Sequence, residues 1–135
     1  PLFVQRLKTR AQFQAVLAGG TLARTHHFAL HHVALASAGE SLFPVVDAWL
    51  GAMVPKRWAK RAVTRNAIKR QIYAVSVSSK LLPQAHVVRL RATFDRKQFL
   101  SATSDALKTA VREELIKLFK RAEEASVPPN QKAVA

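Results

Sequence analysis

Apolar and polar residues recur along this chain with different periods, and the period marks the elements. In residues 9–18, Phe13, Val16 and Leu17 fall at i, i+3 and i+4, one face of a helix, with Thr9 as N-cap and Gly19-Gly20 as stop. Residues 26–36 fit a strand with Phe28, Leu30 and Val33 as its apolar members. Gly39 and Pro44 punctuate a loop over 37–44; residues 45–54 read as one or two strands closed by Pro55. A basic helix is predicted over roughly 58–78, a connector at 81–84 and a strand from His86 to Thr93. The clearest helix spans 102–122, where Leu107, Ala110, Val111, Leu115, Leu118, Phe119 and Ala122 repeat every three or four residues. Ser101 or Ser104 can cap it. The order is helix, strands, helix, strand, helix, which predicts an α+β layer fold.

Length adds that 135 residues make one ordinary domain, here residues 1–125, followed by a mobile tail at 126–135. No stretch approaches the ~20 apolar residues of a membrane span, and no secretory leader pattern is present, so a cytoplasmic protein is expected. With no cysteine, disulfides and thiolate-bound zinc are excluded.

Charge changes the picture more. The chain carries 22 Lys and Arg against 8 Asp and Glu, a net +14. Residues 1–94 hold 14 of the basic residues and two acids; residues 95–135 hold 8 and 6. Avoiding acids over most of a domain suits a polyanionic partner. Nucleic acid is favoured over an anionic membrane because no basic segment has a broad aromatic and leucine face.

The basic helix concentrates this property. Residues 56–70 hold Lys56, Arg57, Lys60, Arg61, Arg65, Lys69 and Arg70 and no acid. At ~100° per residue, with Arg61 at zero, Arg65, Lys69, Asn66 and Arg70 occupy the arc from ~40° to ~180°. Val63, Ala74, Ala67, Val75, Ile68 and Ile72 cover the opposite side, which is expected to be buried. Like charges at i, i+4 cost a few tenths of a kcal/mol per pair, a penalty that a bound polyanion removes.

The run Gly51-Ala-Met-Val-Pro-Lys-Arg57, followed by Ala62-Val-Thr-Arg65-Asn66-Ala67-Ile-Lys69-Arg70, resembles the signature of the protein subunit of bacterial ribonuclease P. Arg6 through Val16, with Gly19 and Phe28, is similar to that family's opening helix and first strand, and the resemblance covers residues 6–122. It implies three helices on a roughly four-stranded mixed sheet, in the order α-β-β-β-α-β-α, with a left-handed βαβ crossover. It also implies a protein with no catalytic residue of its own, working beside a catalytic RNA that removes the 5′ leader from precursor tRNA with Mg2+. Lys56, Arg57, Lys60, Arg61, Arg65, Asn66, Lys69 and Arg70 would then face the catalytic RNA. Phe13, Phe28 and His31 would line a leader-binding cleft between the first helix and the sheet, the alternative for Phe13 and Phe28 being ordinary core packing. RNA, and neither DNA nor membrane, is the expected partner.

This chain departs from the family pattern at several positions. Ala67 stands where a second arginine is usual, Tyr73 where Arg is common, Pro55 where a small polar residue is common, and Leu17 and His31 at positions often aromatic.

Other candidate sites are weaker. His26, His27, His31 and His32 cluster in sequence, but a strand splits them between two faces, so no metal site is expected. Asp47 and Asp95 are too isolated for an acid–base pair. Trp49 is expected in the core, and Trp58 either stacks on a base or caps the helix. Besides the ribonuclease P reading, a ribosomal or assembly RNA-binding protein of similar fold is the main alternative. A self-sufficient nuclease ranks last, for want of acids.

Overall fold

The computed structural model describes residues 4–39, 41–94 and 105–126. Their elements run β1 (Gln5–Arg6), α1 (Arg10–Leu17), β2 (Gly20–Arg24), β3 (Phe28–Val33), α2 (Leu35–Ala38), β4 (Trp49–Met53), α3 (Ala62–Ser76), β5 (Ala85–Leu90) and α4 (Asp105–Ala125). The class is α+β, as expected, with one more helix and one more strand than the sequence predicts. The added pieces are the single turn α2, which straddles the end of the predicted strand and the start of the predicted loop, and the strands β1 and β2; residues 45–54 hold one strand, β4, where the predicted count takes two. The tail beyond Ser126, Asp95, and the capping serines of α4 lie outside the described residues.

Local chemistry sets the boundaries. Thr9 Oγ1 accepts from the Gln12 N–H while Gln12 Oε1 accepts from the Thr9 and Lys8 N–H groups, a reciprocal cap on α1. Gln12 Nε2 also donates to the Leu42 carbonyl at 2.8 Å, tying α1 to the segment before β4. At the other end Gly19 lies so close to β3 that an added Cβ would sit 2.3 Å from the His32 carbonyl oxygen. The chain therefore turns there directly into β2.

The sheet order is β1-β4-β5-β3-β2. β4 runs parallel to both β1 and β5, and β3 runs antiparallel to β5 and β2. Because β4 and β5 are parallel neighbours, their connection must cross over, and α3 supplies it. The two sheet faces bury different sets. Phe28, Leu30, Leu50, Ala52, Val88 and Leu90 pack under α3 and α4 with Ile68, Ile72, Leu115, Leu118 and Phe119. Trp49, Ala85 and Val87 pack under α1 with Leu7, Val16 and Phe43. Of the apolar stripe read from residues 102–122, Leu107, Val111, Leu115, Leu118, Phe119 and Ala122 are buried as predicted, and Ala110 is half-buried.

The basic helix starts later than its composition predicts. Trp58 and Ala59 N–H groups both donate to the Pro55 carbonyl, closing a separate turn. Arg61 is then extended (φ −87°, ψ 133°), and α3 begins at Ala62. Arg65 bridges the break, its Nη1 donating to the Ala59 and Lys60 carbonyls at 3.0 and 2.8 Å.

Candidate nucleic-acid interface

On α3 the buried residues are Ala67, Ile68, Ile72, Val75 and Ser76. Their mean direction is ~40–60° away from the one expected, taking ~100° per residue. Val63 and Ala74, assigned to the core by sequence, are exposed. The physical reason is that α3 packs against two surfaces at once. Ala67 and Gln71 line a small recess with Leu107 and Val111 of α4, while Tyr73 meets the sheet edge. Tyr73 Oη accepts the Ala52 N–H at 3.2 Å, and the Arg6 guanidinium lies over its ring at 4.0 Å. Position 67, where the family signature has a second arginine, is here part of the contact between helices.

The cations stay open. Lys56, Arg57, Lys60, Arg61, Asn66 and Arg70 are exposed, and Arg65 and Lys69 are half-buried. Among the described residues no carboxylate pairs with any of them; the one ion pair there is His27 with Glu114. The first turn of α3 has no acid and no side-chain cap, so its N–H groups add to a positive end.

Phe13 and Phe28, paired by sequence in one cleft, lie on opposite faces of the sheet. Phe28 is fully buried among the α3 and α4 residues and meets no solvent, which removes it from any leader contact. Ordinary core packing is the correct account of it. Phe13 is half-buried on α1 and presses on the sheet at Gly51, where a Cβ would lie 2.6 Å from its Cε1. His31 shares the face with Phe13 but is 8 % exposed, its ring held between strands and not offered for stacking.

Strand register shows what lies beyond α1 on that face. Arg24 pairs with Ala29, Ala29 with Arg89, and Arg89 with Met53, making a row across four strands. Burial, then the charges of Arg91, Arg57 and Arg24, pull the Arg89 guanidinium below its ordinary value, a sign of converging cations. Sequence reading missed Arg24, Arg89 and Arg91. The signal available was Arg89 and Arg91 alternating with Val88 and Leu90.

The remaining candidates have local roles. His27 stacks on Phe94, lies tilted against His26 and bonds Glu114; His32 Nδ1 donates to Gln84 Oε1; His86 Nδ1 donates to the Trp49 carbonyl. The histidine cluster is thus divided among separate partners. Asp47 Oδ1 accepts the Ala48 N–H, as a turn residue does. Trp49 is buried, and Trp58 packs on the main core with Arg57 over its ring at 5.3 Å.

The surface is therefore cationic along α3 and its preceding turn, and again on the sheet face beside Phe13. Such a surface grips a phosphate backbone through charge and bases through aromatic faces. The family model for Ribonuclease P matches residues 4–123. The Ribonuclease P protein component of Ralstonia pickettii is 36% identical over 127 residues, covering 92% of this chain and 84% of that protein. That of Bordetella parapertussis is 36% identical over 118 residues, covering 86% and 89%. The fold is similar to the Staphylococcus aureus RNase P protein, with a TM-score of 0.61 at 22% identity over 87% of this chain and 94% of that one.

Proposed function

The chain belongs to the ribonuclease P protein family, and from that membership we propose how it works as the protein subunit of a ribonucleoprotein endonuclease that removes the 5′ leader from precursor tRNA. One observation carries the reading: the cationic side of α3 lies open, with no carboxylate from the described part of the chain neutralising it. Lys56, Arg57, Lys60, Arg61, Arg65, Asn66, Lys69 and Arg70 dock the catalytic RNA. Phe13 and the row of Arg24 and Arg89 on the open sheet face hold the single-stranded leader.

The division of labour follows from chemistry. Hydrolysis is assigned to the RNA, which would use the Mg2+ that the holoenzyme requires. This chain supplies fixed positive charge where two polyanions must approach, which lowers the divalent metal needed to screen them. No residue of the protein is assigned a catalytic step. The cytoplasm, where precursor tRNA is made in bacteria, is the expected location.

Reconstitution tests the reading. The protein is mixed with a bacterial ribonuclease P RNA and precursor tRNA at low magnesium, and release of the 5′ leader is measured. Stimulation that requires the RNA is the expected result. Tight RNA binding without stimulation would instead place the chain among RNA-binding assembly proteins, and cleavage by protein alone would make it a nuclease.

A further inference from the structure

Three side chains on the open sheet face form a hydrogen-bonded line, and of the three only Arg89 has been given a role above. Thr21 of β2 is the register partner of His31 of β3, and Arg89 of β5 lies one row along. His31 Nδ1 is 3.3 Å from Thr21 Oγ1, and Arg89 Nε is 3.2 Å from His31 Nε2. A guanidinium has no acceptor atom, so Arg89 must donate and His31 Nε2 must accept. The ring is therefore neutral, with its proton on Nδ1 and donated to the Thr21 hydroxyl oxygen.

The surroundings keep it so. Burial first, then the charges of Arg89, Arg24 and His32, hold the His31 ring below its ordinary value. A protonated ring would lose the lone pair that Arg89 needs and set a second cation against it. With Nε engaged, the terminal nitrogens of Arg89 have no acceptor among the described residues, and Arg24, Arg57 and Arg91 stand near enough to weigh on its charge. A tethered guanidinium with a free two-nitrogen end suits a phosphate, which it can grip through two parallel hydrogen bonds.

We propose that His31 is a positioning residue: it fixes Arg89 on the open sheet face so that the guanidinium end receives a phosphate of the single-stranded leader. This rests on the leader reading given under the proposed function. It replaces the stacking role that sequence assigned to His31 with an indirect one, acting through a residue that sequence did not single out.

The test uses the reconstituted holoenzyme and compares its affinity for a precursor tRNA with that for the same tRNA lacking a leader. Arg89→Ala is expected to cut the leader-dependent gain about fivefold, the scale of one good hydrogen-bonded contact. His31→Phe, which keeps bulk but has no acceptor, should lose part of the same gain. His31→Gln, whose amide can accept from Arg89 and donate to Thr21, should restore it. In an Arg89→Ala background His31→Phe should cost nothing further, because the effect runs through the missing side chain. An equal loss in both backgrounds, or no loss in either, overturns the positioning role. Should His31→Phe fail to fold, Thr21→Val removes the partner that fixes the tautomer and is read by the same cycle. A wild-type holoenzyme that binds both tRNAs equally overturns the leader reading itself, an outcome distinct from a leader preference that the His31 variants leave intact.

Discussion

Glu114, midway along α4, clasps His27 at the head of β3 with both carboxylate oxygens: Oε1 lies 2.7 Å from the ring Nδ1, and Oε2 accepts the His27 backbone N–H at 2.6 Å. Thr25 Oγ1 donates to the same Oε2, also at 2.6 Å. The β2–β3 turn is thereby fastened to the C-terminal helix across almost ninety residues of chain.

The Glu114 clasp gives stability a dependence on acid. Burial pushes its carboxyl up, but the hydrogen bonds from Thr25 and from the ring and backbone of His27 outweigh that and hold it below the ordinary glutamate value. A carboxyl depressed in the folded state stabilises the fold above its unfolded pKa, and that contribution is lost as pH falls through the folded value. Glu114→Ala should cost about 2 kcal/mol at neutral pH by taking the acceptor from the buried Thr25 hydroxyl and from the half-buried backbone and ring N–H groups of His27. Urea unfolding at pH 7 measures the cost. The same experiment at acid pH, below both pKa values, should find the two proteins nearly equal.

His86 works in a different window. Its ring is 1 % exposed, and burial drives it down to about 4, although the Trp49 carbonyl that accepts from Nδ1 pulls the other way. The folded state needs the ring neutral, while the unfolded chain takes a proton near 6.5. Stability should therefore fall as pH drops from about 6.5 and level off near 4, by roughly 3 kcal/mol. His31, held down for similar reasons, adds in the same direction. His86→Phe should flatten most of the slope between those limits, whatever its effect on the absolute stability at pH 7.

Gly51 and Phe13 make a close contact whose loss reaches function. A Cβ at position 51 would lie 2.6 Å from Phe13 Cε1 and 3.1 Å from Leu7 Cβ, so Gly51→Ala must push the ring off the sheet. Overpacking of this kind typically costs 1–3 kcal/mol, about 1 being expected where a half-buried ring can swing outward. Since the ring borders the proposed leader site, affinity for leader-bearing tRNA should fall while affinity for leaderless tRNA holds. Equal loss for both would show that the ring serves packing alone.

How far sequence reached depends on whether the signal was local. The cap at Thr9, the stop at Gly19 and the buried stripe of α4 are contained within a few turns of chain, and each stands where it was expected. β2 was missed because a register shift between Thr21 and Ala23 breaks the alternation that marks a strand. β1 pairs only two residues, too few for any period. For α3 the helix and its cations were legible, but its rotation was not, because Val63 and Ala74 are apolar without being covered. The separation of Phe13 from Phe28, and the row from Arg24 to Met53, come from strand register, which joins residues far apart in sequence.

Arg65 and Arg70 separate two jobs that a basic helix can do. Arg70 is exposed and has no partner among the described residues, so Arg70→Ala should leave stability within about 0.5 kcal/mol of wild type. Its effect belongs to RNA binding, where losing one phosphate contact reduces the slope of log affinity against log salt by about 0.7 to 0.9. Arg65 braces the Ala59 and Lys60 carbonyls at the start of α3 as well as carrying charge. Arg65→Ala should show the same change in slope together with about 1 kcal/mol lost in stability, from two partly exposed hydrogen bonds. Arg65→Lys keeps the cation without the two-pronged donor, so it should retain the slope and lose part of the stability. Affinity for the ribonuclease P RNA measured across a salt series, beside urea unfolding of the free protein, reads the two quantities independently. If neither alanine variant changes the slope, these two cations do not meet phosphate and drop out of the docking set.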